Sequence, residues 1–220
     1  MGQPLDRTLA IPAAVAGVTL GALAVGMGLA RGAKGFHPRG RVVDAVLDVP
    51  AEVPALSTLG RPGRHDAVAR FSDGAGLPRT WLDVRGLAVR LPGPVDLLLS
   101  SGGPGRVTRF VPLPRVRRWV VMTSLVPFRS DVGPVVLAAR PTGDRRTWEL
   151  AWARGAGPWR PFGVLRCAAD PETAADRPLR FDPVLNGPVG LPPYRWAAQL
   201  RRFGYAWSRR HVRAVAAPPG

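Results

Sequence analysis

Apolar and polar positions alternate over much of the chain between residues 41 and 167, in short runs separated by glycine- and proline-rich breaks. The alternation is plain in Ala67–Phe71 and resumes from Val84 to Leu91, and the Ser72–Pro78 break between them holds two glycines and a proline. Successive strand residues point to opposite faces, so the stretch predicts strand, turn, strand. Period-2 spacing puts Arg85, Leu87, Val89 and Leu91 on one face, with Val84, Gly86, Ala88 and Arg90 on the other. The second face carries only small or medium residues and one arginine. Such a surface suits close approach by something flat and bulky. Taken alone, the pattern is equally that of an ordinary half-buried hairpin.

The same pass predicts strands near 41–49, 66–72, 84–91, 106–112, 133–139, 146–153 and 161–167. A helical patch with Trp119 and Met122 is expected around 115–126, a loop over Ala168–Gly190, and helices across Tyr194–Val215. In that last region Trp196, Leu200, Phe203 and Trp207 form an apolar stripe at helical spacing. Many short strands followed by C-terminal helices predict an α+β fold, a β-barrel with helices packed on it.

One segment follows neither period. From Leu9 to Ala30 the chain has 22 residues without a charge, rich in Ala, Val, Leu and Gly. As a helix this run is roughly 33 Å long, enough for a hydrocarbon core of about 30 Å. Pro12 lies near its start, where a helix tolerates proline, and Gly17 and Gly21 form a G-x-x-x-G that could pair two copies as a homodimer. A cleaved signal peptide requires a basic leading region, whereas Met1–Arg7 carries one arginine offset by Asp6. A buried soluble helix is the other reading. The expectation is a single-pass membrane anchor, residues 1–31, followed by one domain, residues 32–220. Arg31, Lys34, Arg39 and Arg41 follow the run, which places that domain on the cytoplasmic side.

Net charge is +16, and Lys34 is the only lysine among the 31 basic residues. The arginines are scattered and no helix-turn-helix, zinc-finger or RNA-binding signature occurs, so a nucleic-acid partner is not expected. A basic surface beside a bilayer does attract anionic headgroups, so membrane lipid is the expected partner. A single Cys167 excludes an internal disulfide. His37, His65 and His211 form no ligand-spaced cluster, and neither a Walker loop nor a G-x-S-x-G elbow is present. A metallohydrolase or a nucleotide-binding enzyme is not expected from these residues.

The hairpin carries a more specific signal. Arg70-Phe71-Ser72 with Gly76, then Asp83, Arg85, Gly86, Ala88 and Arg90, read R-F-S-x-x-x-G and D-x-R-G-x-A-x-R. This arrangement resembles the heme-dependent catalase-like superfamily. The resemblance implies a catalase-like antiparallel barrel that binds heme b, with Arg70 on a heme propionate. His37-Pro38-Arg39-Gly40 stands where the family has H-A-K-G, which implies His37 as the distal histidine. A rival register sets Gly32-Ala33-Lys34-Gly35 there and deletes the imidazole. Near the C-terminus Arg201 and Tyr205 match the family's R-x-x-x-Y, implying Tyr205 as the proximal ligand of the heme iron. Arg201, four residues away, could supply the cation a phenolate needs.

Two departures qualify the likeness. The family's distal asparagine has no counterpart in Val95–Gly102, where Ser100 and Ser101 stand and Ser101 takes the amide's place. Ala206, Trp207 and Ser208 follow Tyr205 in place of proline, aspartate and threonine. The chain is therefore similar to small catalase-related proteins more than to a true catalase. The resemblance implies reaction with a peroxide or organic hydroperoxide, with His37 and Ser101 on the catalytic side. A non-catalytic heme-binding or sensing protein, and a heme-free membrane-associated scaffold, remain open beside it.

Overall fold

Among the described residues nine strands, all antiparallel, form one sheet: β1 Arg39–Val49, β2 Gly63–Asp73, β3 Arg85–Leu91, β4 Val95–Ser101, β5 Met122–Thr123, β6 Phe128–Ser130, β7 Gly133–Pro141, β8 Thr147–Arg154 and β9 Arg160–Cys167. The computed structural model describes residues 39–74, 81–93, 95–177, 179, 181–182 and 185–197. Strand order is β5-β4-β3-β2-β1-β9-β8-β7-β6, and β5 also pairs with β7. Eight strands therefore close into a barrel, with β6 attached to β7 outside the ring. Closure is narrow at one seam: the two residues of β5 pair with Ser100 and Ser101 of β4 on one side and with Ala138 and Ala139 of β7 on the other.

An eight-stranded barrel is just wide enough for side chains to fill. Here the filling comes from the inward set of each strand, among them Leu47, Phe71, Leu87, Val89, Leu97, Leu99, Leu137, Trp148 and Leu165. Phe71, Trp119 and Trp148 meet at ring-centroid distances of 5.5 to 5.7 Å and close one mouth of the barrel. The 3-10 segment Pro54–Gly60 packs its Leu56 and Leu59 against the same core.

The predicted strands at 41–49, 66–72, 84–91, 133–139, 146–153 and 161–167 correspond to β1, β2, β3, β7, β8 and β9. Three expectations fail. The strand expected at 106–112 is a loop with a 3-10 turn at Thr108–Phe110. Pro104 and Pro112 bracket it and donate no ladder hydrogen bond, and Arg109 turns inward to backbone carbonyls. The helix expected at 115–126 does not form: adjacent β-branched Val120 and Val121 disfavour it, and Trp119 plugs the barrel instead. The strand Val95–Ser101 was not expected, because its run of apolar residues lacks clean alternation and carries Asp96.

Described parts of the long connection after β9 run as a strap over the barrel. Ala168 N–H donates to Asp44 O at 2.7 Å, Val42 N–H to Ala175 O at 3.0 Å, and Arg129 N–H to Pro192 O at 2.9 Å. Among the described residues helices are few; at the C-terminal end only Arg195–Ala197 is helical. The rest of the expected C-terminal helices and the expected anchor at Leu9–Ala30 lie outside the described residues. Among the described residues no helix is long and apolar enough to cross a membrane.

Candidate functional site

Strand register lines up an unusual row. Gly40 of β1 pairs with Ser72 of β2, Ser72 with Gly86 of β3, and Gly86 with Ser100 of β4. The next row on the same face is Val42, Arg70, Ala88 and Leu98. Both rows face outward, since their neighbours Val43, Phe71, Leu87 and Leu99 belong to the core. Four strands span about 14 Å at the usual interstrand spacing. The first row is a shelf of glycine and serine only.

Arg70 sits at the border of that shelf. Its guanidinium lies across β1 at Gly40, where an added Cβ would come within 2.4 Å of Cζ. The absent side chain is what opens this path. Beyond Gly40 the Arg70 Nη2 reaches Asp176 Oδ2 of the strap at 3.5 Å, and the same oxygen accepts the Gly40 N–H at 3.0 Å. Asp176 carries no motif signal and could not have been found by spacing. It comes from 106 residues away along the chain.

The second arginine of the motif has a different task. Arg85 is fully buried and pairs with Asp73 at 2.6 Å, while its Nη2 donates to the Val116 carbonyl at 2.9 Å. Arg118 joins the other Asp73 oxygen at 2.5 Å. Asp83 accepts the Val84 N–H at 2.7 Å, and its backbone bridges to Arg115. These contacts close the barrel mouth around Trp119. A flat ring cannot enter there, because the space bordered by Phe71, Ser72, Arg85, Gly86, Trp119 and Met122 is only about 20 Å³, room for one water.

Arg90, the last arginine of the motif, binds Asp96 with Nε at 2.7 Å and Nη2 at 2.8 Å, and lies 5.0 Å from the Phe181 ring centroid. The Asp182 N–H and Asn186 Nδ2 also donate to Asp96, at 2.7 and 2.9 Å. Burial opposes ionisation of Asp96, yet its hydrogen bonds with Arg90, Asn186 and Asp182 outweigh it and hold the carboxyl below the usual range. Asp96 thus ties the strap to β4. Burial pushes the Cys167 thiol up to about 12.

The structure separates the residues singled out in the sequence. Arg70 stands at the border of the shelf and pairs with Asp176. Ser101 does not reach it: it is fully buried on the inward face, donates to Leu113 O at 2.7 Å and accepts the Arg85 N–H at 3.0 Å. Strand alternation gives the outward position to Ser100, its neighbour. His37, Arg201 and Tyr205 lie outside the described residues. No group of three or more metal-ligating side chains occurs among the described residues. A groove of about 860 Å³ lies elsewhere, over Asp44, Val46, Asp66, Val68, Arg90 and Arg166, and contains neither Arg70 nor the shelf.

The barrel is catalase-like. A fungal catalase superposes with a TM-score of 0.56 at 11% identity, covering 82% of this chain and 59% of its own. Catalase A from Saccharomyces cerevisiae superposes at 0.54 and 10% identity, covering 85% of this chain and 62% of its own. The chain thus spans about three fifths of the length of those catalases. No family model and no curated protein matches the sequence. At such identity the likeness defines the fold.

Arg70 takes a carboxylate in this structure, that of Asp176. The Gly40–Ser72–Gly86–Ser100 row beside it is not an open surface: Gly86 is buried, and the space at Ser72 and Gly86 is too small for a planar group such as heme.

Proposed function

We propose that this chain is a membrane-anchored, catalase-like heme protein that reacts with a peroxide or an organic hydroperoxide. The observation carrying this reading is the catalase-like barrel with Arg70, which takes a carboxylate, on β2. Arg70 binds a propionate, Tyr205 supplies the phenolate ligand to heme b, and Arg201 stabilises that phenolate. When bound, the heme iron supplies the redox chemistry that breaks the peroxide O–O bond. His37 accepts the proton of the first peroxide oxygen and returns it to the departing one. Ser100, not Ser101, is the serine on the outward face. Leu9–Ala30 anchors the chain to membrane lipid, with the barrel on the cytoplasmic side, and its G-x-x-x-G pairs two copies.

One observation favours a second reading, a heme-binding or sensing protein without turnover. Ser101, which the resemblance sets at the family's distal amide, has its hydroxyl engaged by Arg85 and Leu113 in the barrel wall. Visible spectra after expression with added heme test both readings. A Soret band with consumption of hydrogen peroxide or cumene hydroperoxide supports the first, and a Soret band without turnover supports the second. Absence of any Soret band rejects both and leaves a heme-free scaffold.

A further inference from the structure

We infer that the barrel mouth closed by Trp119 faces a membrane, and seats Trp81, Leu82 and Val116 in the interface of an anionic bilayer. These three apolar side chains stand out in solvent, Trp81 60% exposed, Leu82 61% and Val116 49%. Two segments far apart in sequence bring them to one edge. The backbones of Asp83 and Arg115 are joined by two hydrogen bonds, of 3.3 and 2.8 Å. Nη2 of the buried Arg85 donates to the Trp81 carbonyl at 3.3 Å and to the Val116 carbonyl at 2.9 Å. The patch is therefore held by the barrel wall itself. Apolar groups gathered on a fixed backbone and left in water mark an interaction surface.

Charge and chain geometry name the occupant. Arg115 and Arg117 flank Val116, and Arg117 is exposed. The one acid in 81–84 and 114–117, Asp83, is buried. An indole and aliphatic side chains set between arginines suit the headgroup level of a bilayer. Tryptophan is favoured there, and basic residues are drawn to anionic lipid. Position points the same way. β1 starts at Arg39, whose register partner Asp73 ends β2, and the next N–H, of Gly74, donates to Val84 O at 2.8 Å. The chain enters the barrel at this same mouth. Residues 31–38 separate Arg39 from the Leu9–Ala30 run, a reach of about 30 Å at most. An anchor in that run holds the mouth beside the bilayer, and the tether lets contacts too weak to act alone engage. For this proximity the inference rests on the anchor of the reading above.

The test attaches a nitroxide at Leu82→Cys or Val132→Cys in the full-length protein, reconstituted in phosphatidylcholine vesicles with and without phosphatidylserine. Leu82 is exposed, so the label leaves the core untouched. Val132, in the β6–β7 turn, lies at the end of β7 away from Pro141 and its partner Trp148, and serves as the aqueous reference. Cys167 is buried, and the unsubstituted chain gives its background. In anionic vesicles the label at 82 is expected to be shielded from an aqueous nickel relaxant and open to lipid-dissolved oxygen, while that at 132 stays aqueous. Arg117→Gln should lower the seated population there about fivefold, the worth of one basic residue at an anionic surface, and change nothing in neutral vesicles. A chain that survives a carbonate wash with both labels equally aqueous overturns the seat and leaves the anchor. A label at 82 shielded from nickel and oxygen alike reports a protein contact and also overturns the seat. A chain removed by carbonate overturns the anchor; the seat then stands if the label at 82 meets lipid before the wash, and falls if it does not.

Discussion

Arg90 and Asp96 are register partners across the β3–β4 hairpin, joined by two charge-assisted hydrogen bonds of 2.7 and 2.8 Å to a carboxylate with no exposed side-chain surface. The pair carries more than the hairpin. Because Asp182 and Asn186 bond to the same carboxylate, it also fixes where the strap crosses β4.

Removing Asp96 should therefore cost more than a surface ion pair. Asp96→Ala removes the carboxylate shared by Arg90, Asp182 and Asn186, and is expected to lower unfolding free energy by about 2–3 kcal/mol in a urea titration. The pH dependence has a definite sign. The folded carboxyl is held below its ordinary value, so its contribution is complete above the unfolded pKa of about 3.9. It is lost as pH falls through the lower folded value. The stability difference between wild type and Asp96→Asn should be flat from about pH 5 upward and shrink below about pH 4.

The two neighbouring serines should behave oppositely. Ser101→Ala removes both the donor to Leu113 and the acceptor for Arg85, and is expected to cost about 1–3 kcal/mol. Ser100→Ala, on the outward face, should change stability by less than about 0.5 kcal/mol. Chemical denaturation of both variants checks this. Asparagine at 101 is expected to disrupt the barrel wall, whereas asparagine at 100 places its amide on the outward face.

Gly40→Ala separates positioning from stability. Its Cβ collides with the guanidinium of a flexible side chain, so Arg70 can swing aside and the fold should lose less than about 1 kcal/mol. Protoheme affinity should nevertheless fall as far as in Arg70→Leu. Matching losses in the two single variants, with no further loss in the double, would show that Gly40 acts through Arg70.

Tyr205→Phe keeps the ring and removes the oxygen proposed to bind iron. It should abolish a ferric tyrosinate spectrum while leaving the barrel folded by circular dichroism. His37→Ala should retain heme and lose hydroperoxide turnover by about 10²–10⁴-fold, the usual worth of a positioned proton shuttle. An unchanged spectrum in the first variant, or unchanged turnover in the second, points to other residues.

The anchor is open to a separate test. With Leu9–Ala30 in a bilayer, the full chain should stay in the membrane fraction through high-salt and carbonate washes, and deletion of residues 1–31 should release it. Recovery of the intact chain in the soluble fraction rejects the anchor.

Most of the barrel was legible in the chain because period-2 alternation is a local property. β1, β2 and β3 show it over enough residues to be read one strand at a time, and β7 reads instead as a short apolar run, Val135–Ala139, bounded by turn residues. So was the unusual character of β3, whose outward positions Gly86 and Ala88 are small and whose arginines follow a recognisable spacing. The elements misread are those whose conformation answers to partners far away. Trp119 lies in a stretch that reads as helix but packs on the contacting rings of Phe71 and Trp148. Arg109 sits in a stretch that reads as strand but donates to Gly155 and Gly157 on the β8–β9 turn.

The sequence by itself determined which residues alternate, which arginines belong to the hairpin, and that the faces of β3 differ in size. Only the tertiary structure decided the phase of β4, and with it that Ser101 seals the wall while Ser100 joins the shelf. It also decided ring closure through β5 and β7, and the meeting of Arg70 with Asp176 over Gly40. The reason is physical. Alternation depends on neighbours one or two residues apart, whereas register, closure and carboxylate pairing are set when distant segments bury their surfaces together.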